Sequence, residues 1–528
     1  MSVGRRESGS VAEGWRPEVE RINSLRQRAL EMGGQERIDR QHARGKLTAR
    51  ERMDLLFDRG TMEEIGILAD HAGTRRHLKD FHAPADGVVT ASGLIDGRPA
   101  FAFSEDFTVL GGSTGSVGIQ KRNRLKELAG RERLPIVYLL DGAGARGQEA
   151  ILAGWPDSSH FLVQSRLAGI VPQVGAVLGG LGGDPALEVP LCDFKIMSKG
   201  EGALFTGGPP LVKAALGLDI DKIDLGGYKI AVETAGVVDN AAEDDADAIA
   251  QIRRYLSYMP LNCDELPPVV APTDDPWRAD DELLDIVPRN RRAPYDMQQI
   301  VDRIVDHDSV FQIQPTFGKS LITCLARMDG HVVGIVANQP KVRAGAMTGD
   351  EADKAVHFIS LCNSFNIPMV FLVDVPGLMV GPETERQAIL KRGLRVAWVT
   401  AHARVPNVTV LIRKAYGMGA AAMNGPGGGQ SATLCWPSAE FGSLPVAGGV
   451  DAAFKSQIAG GKDASAVRAE FESSISSDAG PFPAAGVFNF DELIDPRETR
   501  ARVVRAFRRA RRSQERNTGP WQHYGLFP

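Results

Sequence analysis

The 528-residue chain contains only five cysteines, and no two of them form a C-x-x-C pair. That excludes a zinc ribbon, and no metal site is expected. Cys192, Cys263, Cys324, Cys362 and Cys435 are scattered among mostly apolar neighbours, which suits the reducing cytoplasm. No apolar run reaches the roughly 18 residues of a membrane span. The stretch Met1–Gly14 is rich in Ser, Gly and Arg and lacks an apolar segment, so it reads as a disordered tail and not a secretory signal. Ten histidines occur without pairing, and neither H-E-x-x-H nor a Walker A sequence is present. A net charge of −5 supplies no global basic field, so nucleic acid is not an expected partner.

Glycine, by contrast, is abundant, with 58 residues gathered at turns and after apolar strands. Two such places are near copies of each other. Leu134–Gly144 reads LPIVYLLDGAG and Ile367–Gly377 reads IPMVFLVDVPG, an offset of 233. VPQVGAVLGG from Val171 is matched by VPNVTVLIRK from Val405, and Thr114-Gly115 by Thr348-Gly349, both at an offset of 234. Spacing this constant implies a tandem duplication of one α/β fold. Its units are expected at 26–265 and 295–528, after a tail over 1–25 and with a linker over 266–294 that holds six prolines. Cys192 and Cys435 are expected at comparable places in the two copies.

The patterning predicts helices over 16–60, with a capping box at Thr48–Glu51. Asp96-Gly97 and Asp329-Gly330 each sit between apolar runs and predict equivalent β-hairpins. Buried strands are expected at Ile136–Leu140, Val174–Leu178, Met369–Val373 and Val408–Ile412, and one continuous helix over Glu383–His402. The last helix starts at Asp495-Pro496 and carries nine arginines between Arg497 and Arg516. Those arginines form either an anion-binding stripe or the solvated face of a helix that packs Val503, Val504 and Phe507 inward, and the second reading is preferred.

Two turns carry the chemistry. Gly182-Gly183 follows the strand at Val174–Leu178, and Gly417-Met418-Gly419-Ala420 follows the strand at Val408–Ile412. A glycine-rich turn at a strand end leaves backbone N–H groups free to hold an anion or polarise a carbonyl. Two of them can hold two carbonyl compounds face to face, which points to group transfer. Asp141 and Asp374 end equivalent strands; they could serve as general acids or bases, but their equivalent placement in both copies favours a turn-capping role. The lack of a side-chain base suits a reaction in which a substrate supplies its own.

Several longer motifs resemble one family. ARGKLTARERMDLLFDRGTMEE (Ala43–Glu64), GGSTGSVG (Gly111–Gly118), DGAGAR (Asp141–Arg146), NQPKV (Asn338–Val342), FNIPMVFLVDVPG (Phe365–Gly377), RKAYG (Arg413–Gly417) and IDPRETR (Ile494–Arg500) resemble the carboxyltransferase (β) subunit of biotin-dependent acyl-CoA carboxylases, such as the propionyl-CoA and methylcrotonyl-CoA carboxylases. The resemblance implies two tandem crotonase-like ββα domains in a homohexamer, with each site shared between two protomers. It implies acyl-CoA on the N-terminal domain, with Gly182 and Gly183 at the thioester carbonyl. Carboxybiotin would then lie on the C-terminal domain, with Met418 and Gly419 at its ureido carbonyl. Gly144, Ala145, Ala420 and Ala421 are implied substrate-binding positions. With no Met-Lys-Met biotinylation site and no ATP-binding glycine loop, the chain would depend on a biotin carboxylase and a biotin carboxyl carrier protein.

The chain departs from the family at three places. Asp184 follows the first turn, GGYKIAVETAG fills Gly226–Gly236 where the family has a histidine-bearing pattern, and Ala421 stands where many propionyl-type members are acidic. A carboxylate beside an enolate site is unhelpful unless it points away, and three consecutive alanines imply a roomier acyl pocket. An acyl-CoA decarboxylase subunit and a non-catalytic paralogue in a carboxylase assembly stay open as alternatives.

Overall fold

The computed structural model describes residues 14–71, 82–150, 159–425, 431–444, 446–460, 463–478 and 480–521. The expected tail lies outside them up to residue 13. Helix α1 runs Arg16–Leu30, within the helices expected over 16–60, so residues 16–25 do not belong to the tail; a proline stands in its first turn, where no N–H partner is needed. Helices α2 (Gln35–His42) and α3 (Ala49–Leu56) follow, and Thr48 and Glu51 form the expected capping box on α3.

Nine strands are described in the first half: β1 (Glu63–Glu64), β2 (Val88–Ile95), β3 (Arg98–Glu105), β4 (Ile136–Leu140), β5 (Gln173–Val177), β6 (Gly180–Gly182), β7 (Phe194–Ser198), β8 (Ala203–Phe205) and β9 (Asn240–Ala242). The second half adds β10 (Phe311–Gln312), β11 (Leu321–Met328), β12 (His331–Asn338), β13 (Met369–Val375), β14 (Asn407–Tyr416), β15 (Ala432–Cys435), β16 (Glu440–Gly442) and β17 (Glu492–Leu493). The first sheet is ordered β1-β2-β3-β4-β5-β7-β9 and the second β10-β11-β12-β13-β14-β15-β17, with β16 paired to β14 and β6 paired separately to β8. From β3 and from β12 onward the pairing is parallel. Helix α4 (Ser116–Glu132) and its counterpart Gly349–Ser364 make the crossovers into β4 and β13.

The hairpins show the duplication at atomic detail. Asp96 and Gly97 have φ of 50° and 75°, and Asp329 and Gly330 have 56° and 74°. Positive φ at both central residues matches the twist of the flanking strands. In each hairpin a distant aspartate accepts both turn N–H groups: Asp58 from Asp96 and Gly97, Asp306 from Asp329 and Gly330. Arg253 pairs with the first aspartate and Arg500 with the second.

Some expectations are corrected. The loop after β4 and the loop after β13 correspond at an offset of 233 throughout: Thr114 N–H donates to the Gly144 carbonyl, as Met347 N–H does to Gly377. Thr114-Gly115 is therefore one residue out of step with Thr348-Gly349. Cys192 precedes β7 while Cys435 ends the corresponding β15, so they are not counterparts, although both are buried. The helix expected over 383–402 is two helices, Pro382–Arg386 and Ile389–Ala401, divided at Ala388 with φ of 56°. Strand β14 runs on to Tyr416, so the second glycine turn begins directly at its end. The final helix buries Val503 and Val504. Its arginines are largely committed within the chain, Arg500 to Asp306, Arg502 to Glu492 and Glu498, and Arg508 to Asp329.

The two sheets share one continuous apolar core. Phe194 of β7 stacks on Tyr255 at 4.6 Å and meets Phe311 of β10 edge-on at 5.6 Å. Tyr258 Oη donates to the Ser309 carbonyl at 2.6 Å and Asn240 Nδ2 to the Gln312 carbonyl at 3.1 Å. The proline-rich segment lies against the second sheet: Val270 N–H donates to the Gly330 carbonyl, and Leu283 is buried. No helix among the described residues is long and apolar enough to cross a membrane.

Helix α3 is bound to the end of β4 by charge. Fully buried Arg52 donates to Asp141 at 2.9 Å and to Asp245 at 2.8 Å, and Lys46 donates to Asp141 at 2.6 Å. Removing one member of a buried cluster strands its partners in low dielectric, at a cost of roughly 3–5 kcal/mol. Arg52→Ala is expected to lower the thermal unfolding temperature clearly, whereas Arg40→Ala, whose pair with Glu36 is exposed, is expected to leave it nearly unchanged.

Candidate active site

The first turn is shaped by glycine against glycine. Gly182 ends β6, and Gly183 has φ of 69° and precedes the short helix Asp184–Glu188. Only glycine adopts that backbone without strain. The Gly183 N–H follows directly on β6, whose register sets Gly182 opposite Phe205 of β8. Gly144, in the loop after β4, has φ of 93°, and a β-carbon there would lie 2.6 Å from the Gly182 carbonyl oxygen. Gly182 itself is closed on its other side by the Phe205 ring, 3.0 Å from where its β-carbon would stand. Gly144 is buried, while Ala143 and Ala145 on either side are exposed. The fold thus brings Gly144 and Ala145 beside Gly182 and Gly183.

The second turn repeats the device with different residues. Helix Gly417–Ala422 leaves β14 with Gly417 at φ of 53°. Its first N–H groups, including those of Met418 and Gly419, have no carbonyl one turn earlier to accept them. A β-carbon on Gly419 would lie 2.7 Å from the Cα of Gly377. Gly377 stands at the place of Gly144, 233 residues on, and sequence reasoning passed over it even though the aligned repeat ended on both glycines. Met418 and Ala421 are exposed, whereas Ala420 is 7% exposed and belongs to the core. Ala421 is therefore the alanine whose side chain faces outward, and Ala420 contributes only backbone.

The strand-end aspartates are ion-pair hubs. Burial alone would raise the Asp141 carboxyl, but Arg52 and Lys46 outweigh it and hold it below the usual range. Burial also acts on Asp374, and there it prevails. Arg413 at 3.0 Å offsets it only in part and the carboxyl stays raised, with Tyr295 Oη donating at 2.8 Å. Asp374 does accept the Lys414 N–H at 3.2 Å. The main partners of both carboxylates, however, are cations and hydroxyls of distant segments, so turn-capping is the smaller part of their role. The string Gly111–Gly115 also spells G-x-S-x-G. It is no nucleophile elbow: Ser113 is held by Arg146, which donates to its carbonyl at 3.0 Å, and among the described residues no histidine bonds to it.

Two equivalent strand-end turns, each opening a short helix, suit chemistry that stabilises charge on two carbonyl oxygens. Comparison with known proteins gives the same answer. The carboxyl transferase domain family matches residues 40–527. The chain belongs to that family. It is a carboxyltransferase of the acyl-CoA carboxylase type, built on the crotonase-like α/β fold in two copies. The carboxyltransferase subunit of propionyl-CoA carboxylase from Haloferax mediterranei is 35% identical over 97% of this chain and 99% of its own length. The methylmalonyl-CoA decarboxylase subunit alpha of Veillonella parvula is 37% identical over 93% and 95%. The solved hexameric transcarboxylase 12S with methylmalonyl-coenzyme A bound superposes with a TM-score of 0.91 at 35% identity, over 99% of this chain and 100% of that one.

In this carboxyltransferase the inter-glycine contacts are open to direct test. Gly144→Ala would drive a β-carbon into the Gly182 carbonyl, and Gly419→Ala would drive one into Gly377. Each change is expected to displace one set of donors and lower kcat by about 10²–10³. Both turns lie at strand ends, so circular dichroism should stay near that of the parent, while the strain of the added β-carbon lowers the unfolding temperature modestly.

Proposed function

We propose that this chain transfers a carboxyl group between carboxybiotin, presented by a partner protein, and the carbon next to the thioester of an acyl-CoA. The observation that carries this reading is the pair of equivalent turns, Gly144 against Gly182 and Gly377 against Gly419. Gly182 and Gly183 would hold the thioester oxygen as negative charge develops on it, and Met418 and Gly419 the ureido oxygen of biotin. Carboxybiotin would supply both the carboxyl group and the base. The protein's own work is orientation and the placing of donors where charge appears. A cavity of about 510 Å³ lined by Arg37, Arg40, Arg44, Phe107 and Gly111 supports the N-terminal domain as the coenzyme A side. It adjoins the first turn through the bond from Ala143 N–H to the Gly111 carbonyl at 3.1 Å, and it offers guanidinium groups to phosphates. Asp184 stands at the first position of its helix, where the helix N-terminus favours a carboxylate.

Each turn is built within its own domain, and among the described residues no hydrogen bond or salt bridge joins them. A second copy of the chain would complete the site. Helix Ile389–Ala401 lies beside the second turn, with Thr400 Oγ1 donating to the Ala422 carbonyl at 3.4 Å. It leaves Leu390, Leu394 and Trp398, at 70%, 54% and 43% exposure, in one apolar row. Such a row supports burial against another protomer in a homohexamer. The five free, buried cysteines support a cytoplasmic place. The same turns would serve the reverse direction, and the match to a decarboxylase subunit favours keeping that reading.

Fixation of labelled bicarbonate over an acyl-CoA panel, with biotin carboxylase and biotin carrier supplied, tests the proposal. Activity is expected only with the partners present, and ATP-dependent carboxylation by the chain alone would refute it. Light scattering should give a mass near six chains, and Leu390→Asp with Leu394→Asp should lower both mass and activity. Ala421→Asp should shift kcat/KM toward short acyl chains, and an unchanged ratio across lengths would remove Ala421 from the pocket.

A further inference from the structure

Beneath the first turn lies a buried quartet of charges that the transfer chemistry does not use. Glu188 is the last residue of the helix that starts after Gly183, and its side chain is fully buried. Lys126 Nζ donates to Glu188 Oε1 at 2.9 Å, and the Arg122 guanidinium stands 3.8 Å from the same oxygen. Arg122 also donates to Glu105 Oε1 at 3.1 Å. The other Glu105 oxygen accepts the Asp141 N–H at 2.8 Å. Asp141 opens the loop that sets Gly144 against Gly182. Two residues of one face of α4 thus tie the helix behind Gly183 to the loop beside it.

The second domain builds the same loop without these charges. At an offset of 233, Glu105 corresponds to Asn338, Arg122 to Ala355 and Lys126 to Ile359. Asn338 Oδ1 accepts the Asp374 N–H at 3.1 Å, the bond that Glu105 makes in the first domain. Two carboxylates and two cations, each no more than 3% exposed at the side chain, are therefore not required by the loop itself. Burying them carries a desolvation cost that an apolar cluster would avoid. A helix of five residues cannot fix its own direction, and this one starts from Gly183, so what holds the helix also holds the turn.

We infer that Glu188, clamped by Lys126, is a positioning residue that aims the Gly183 N–H at the acyl group. This rests on the reading of Gly183 as the acyl-side donor. The assembled enzyme with its biotinylated partner and propionyl-CoA as probe gives two readouts: carboxylation of the probe, and release of carbon dioxide from the carboxylated carrier without acyl-CoA. Glu188→Ala is expected to lower kcat for carboxylation roughly 10- to 100-fold. Carrier decarboxylation should stay within about twofold, and Glu188→Gln, which still accepts from Lys126, should recover most of the carboxylation rate. Equal losses in both readouts, or no loss in either, would overturn the inference. If Glu188→Ala does not fold, the apolar pair Lys126→Met with Glu188→Leu replaces it, with the same selective loss expected and parity of the two readouts again overturning the inference. Gly183→Val is the control: if it too spares carboxylation, the acyl-side reading of the turn fails and not the positioning role alone.

Discussion

A β-carbon on Gly144 would lie 2.6 Å from a backbone oxygen, and one on Gly419 2.7 Å from a backbone carbon. Both turns exist because main chain meets main chain at those two places with no side chain between. The parallel strands deliver the two loops to the same sheet end, and the absent side chains let them touch. On the proposed reading, donors held on so rigid a backing need not reorganise as charge develops. A flexible loop could present the same groups, but their alignment would be lost in its motion.

Duplication has kept this backbone device and changed what supports it. In the first domain Asp141 is met by two cations, and a further buried quartet runs from Glu105 to Glu188. In the second, Asp374 is met by one guanidinium and a tyrosine, and the quartet's positions are neutral. The consequence shows in the carboxyls themselves, with Asp141 held low while Asp374 is raised by burial. Glu105, sharing its cation with Glu188, is pushed up to about 7, with burial the main cause. The fold thus tolerates very different electrostatics under one geometry, provided each buried charge keeps a partner.

The halves are not independent bodies. Phe194, Tyr255 and Phe311 form a cluster across the two sheets, and side chains of one half bond backbone of the other. That shared core fixes the two turns within one rigid chain.

The sequence by itself determined the duplication, the paired hairpins at Asp96-Gly97 and Asp329-Gly330, the capping box at Thr48 and the positions of the two glycine turns. All of these are local: a turn residue dictates its own φ, and a buried strand shows as an unbroken apolar run. Three things were decided only by the tertiary structure. Gly377 gained its role because a segment about 40 residues away in sequence folds against it. Asp141 and Asp374 became ion-pair hubs because Arg52, Lys46, Arg413 and Tyr295 arrive from separate elements. Glu188 lies in a run that reads as an ordinary turn and short helix, and its meaning comes from Lys126 across the layer. Spacing along the chain records periodicity and local geometry. Which charge meets which is set by the approach of distant segments, and no pattern within either segment encodes it.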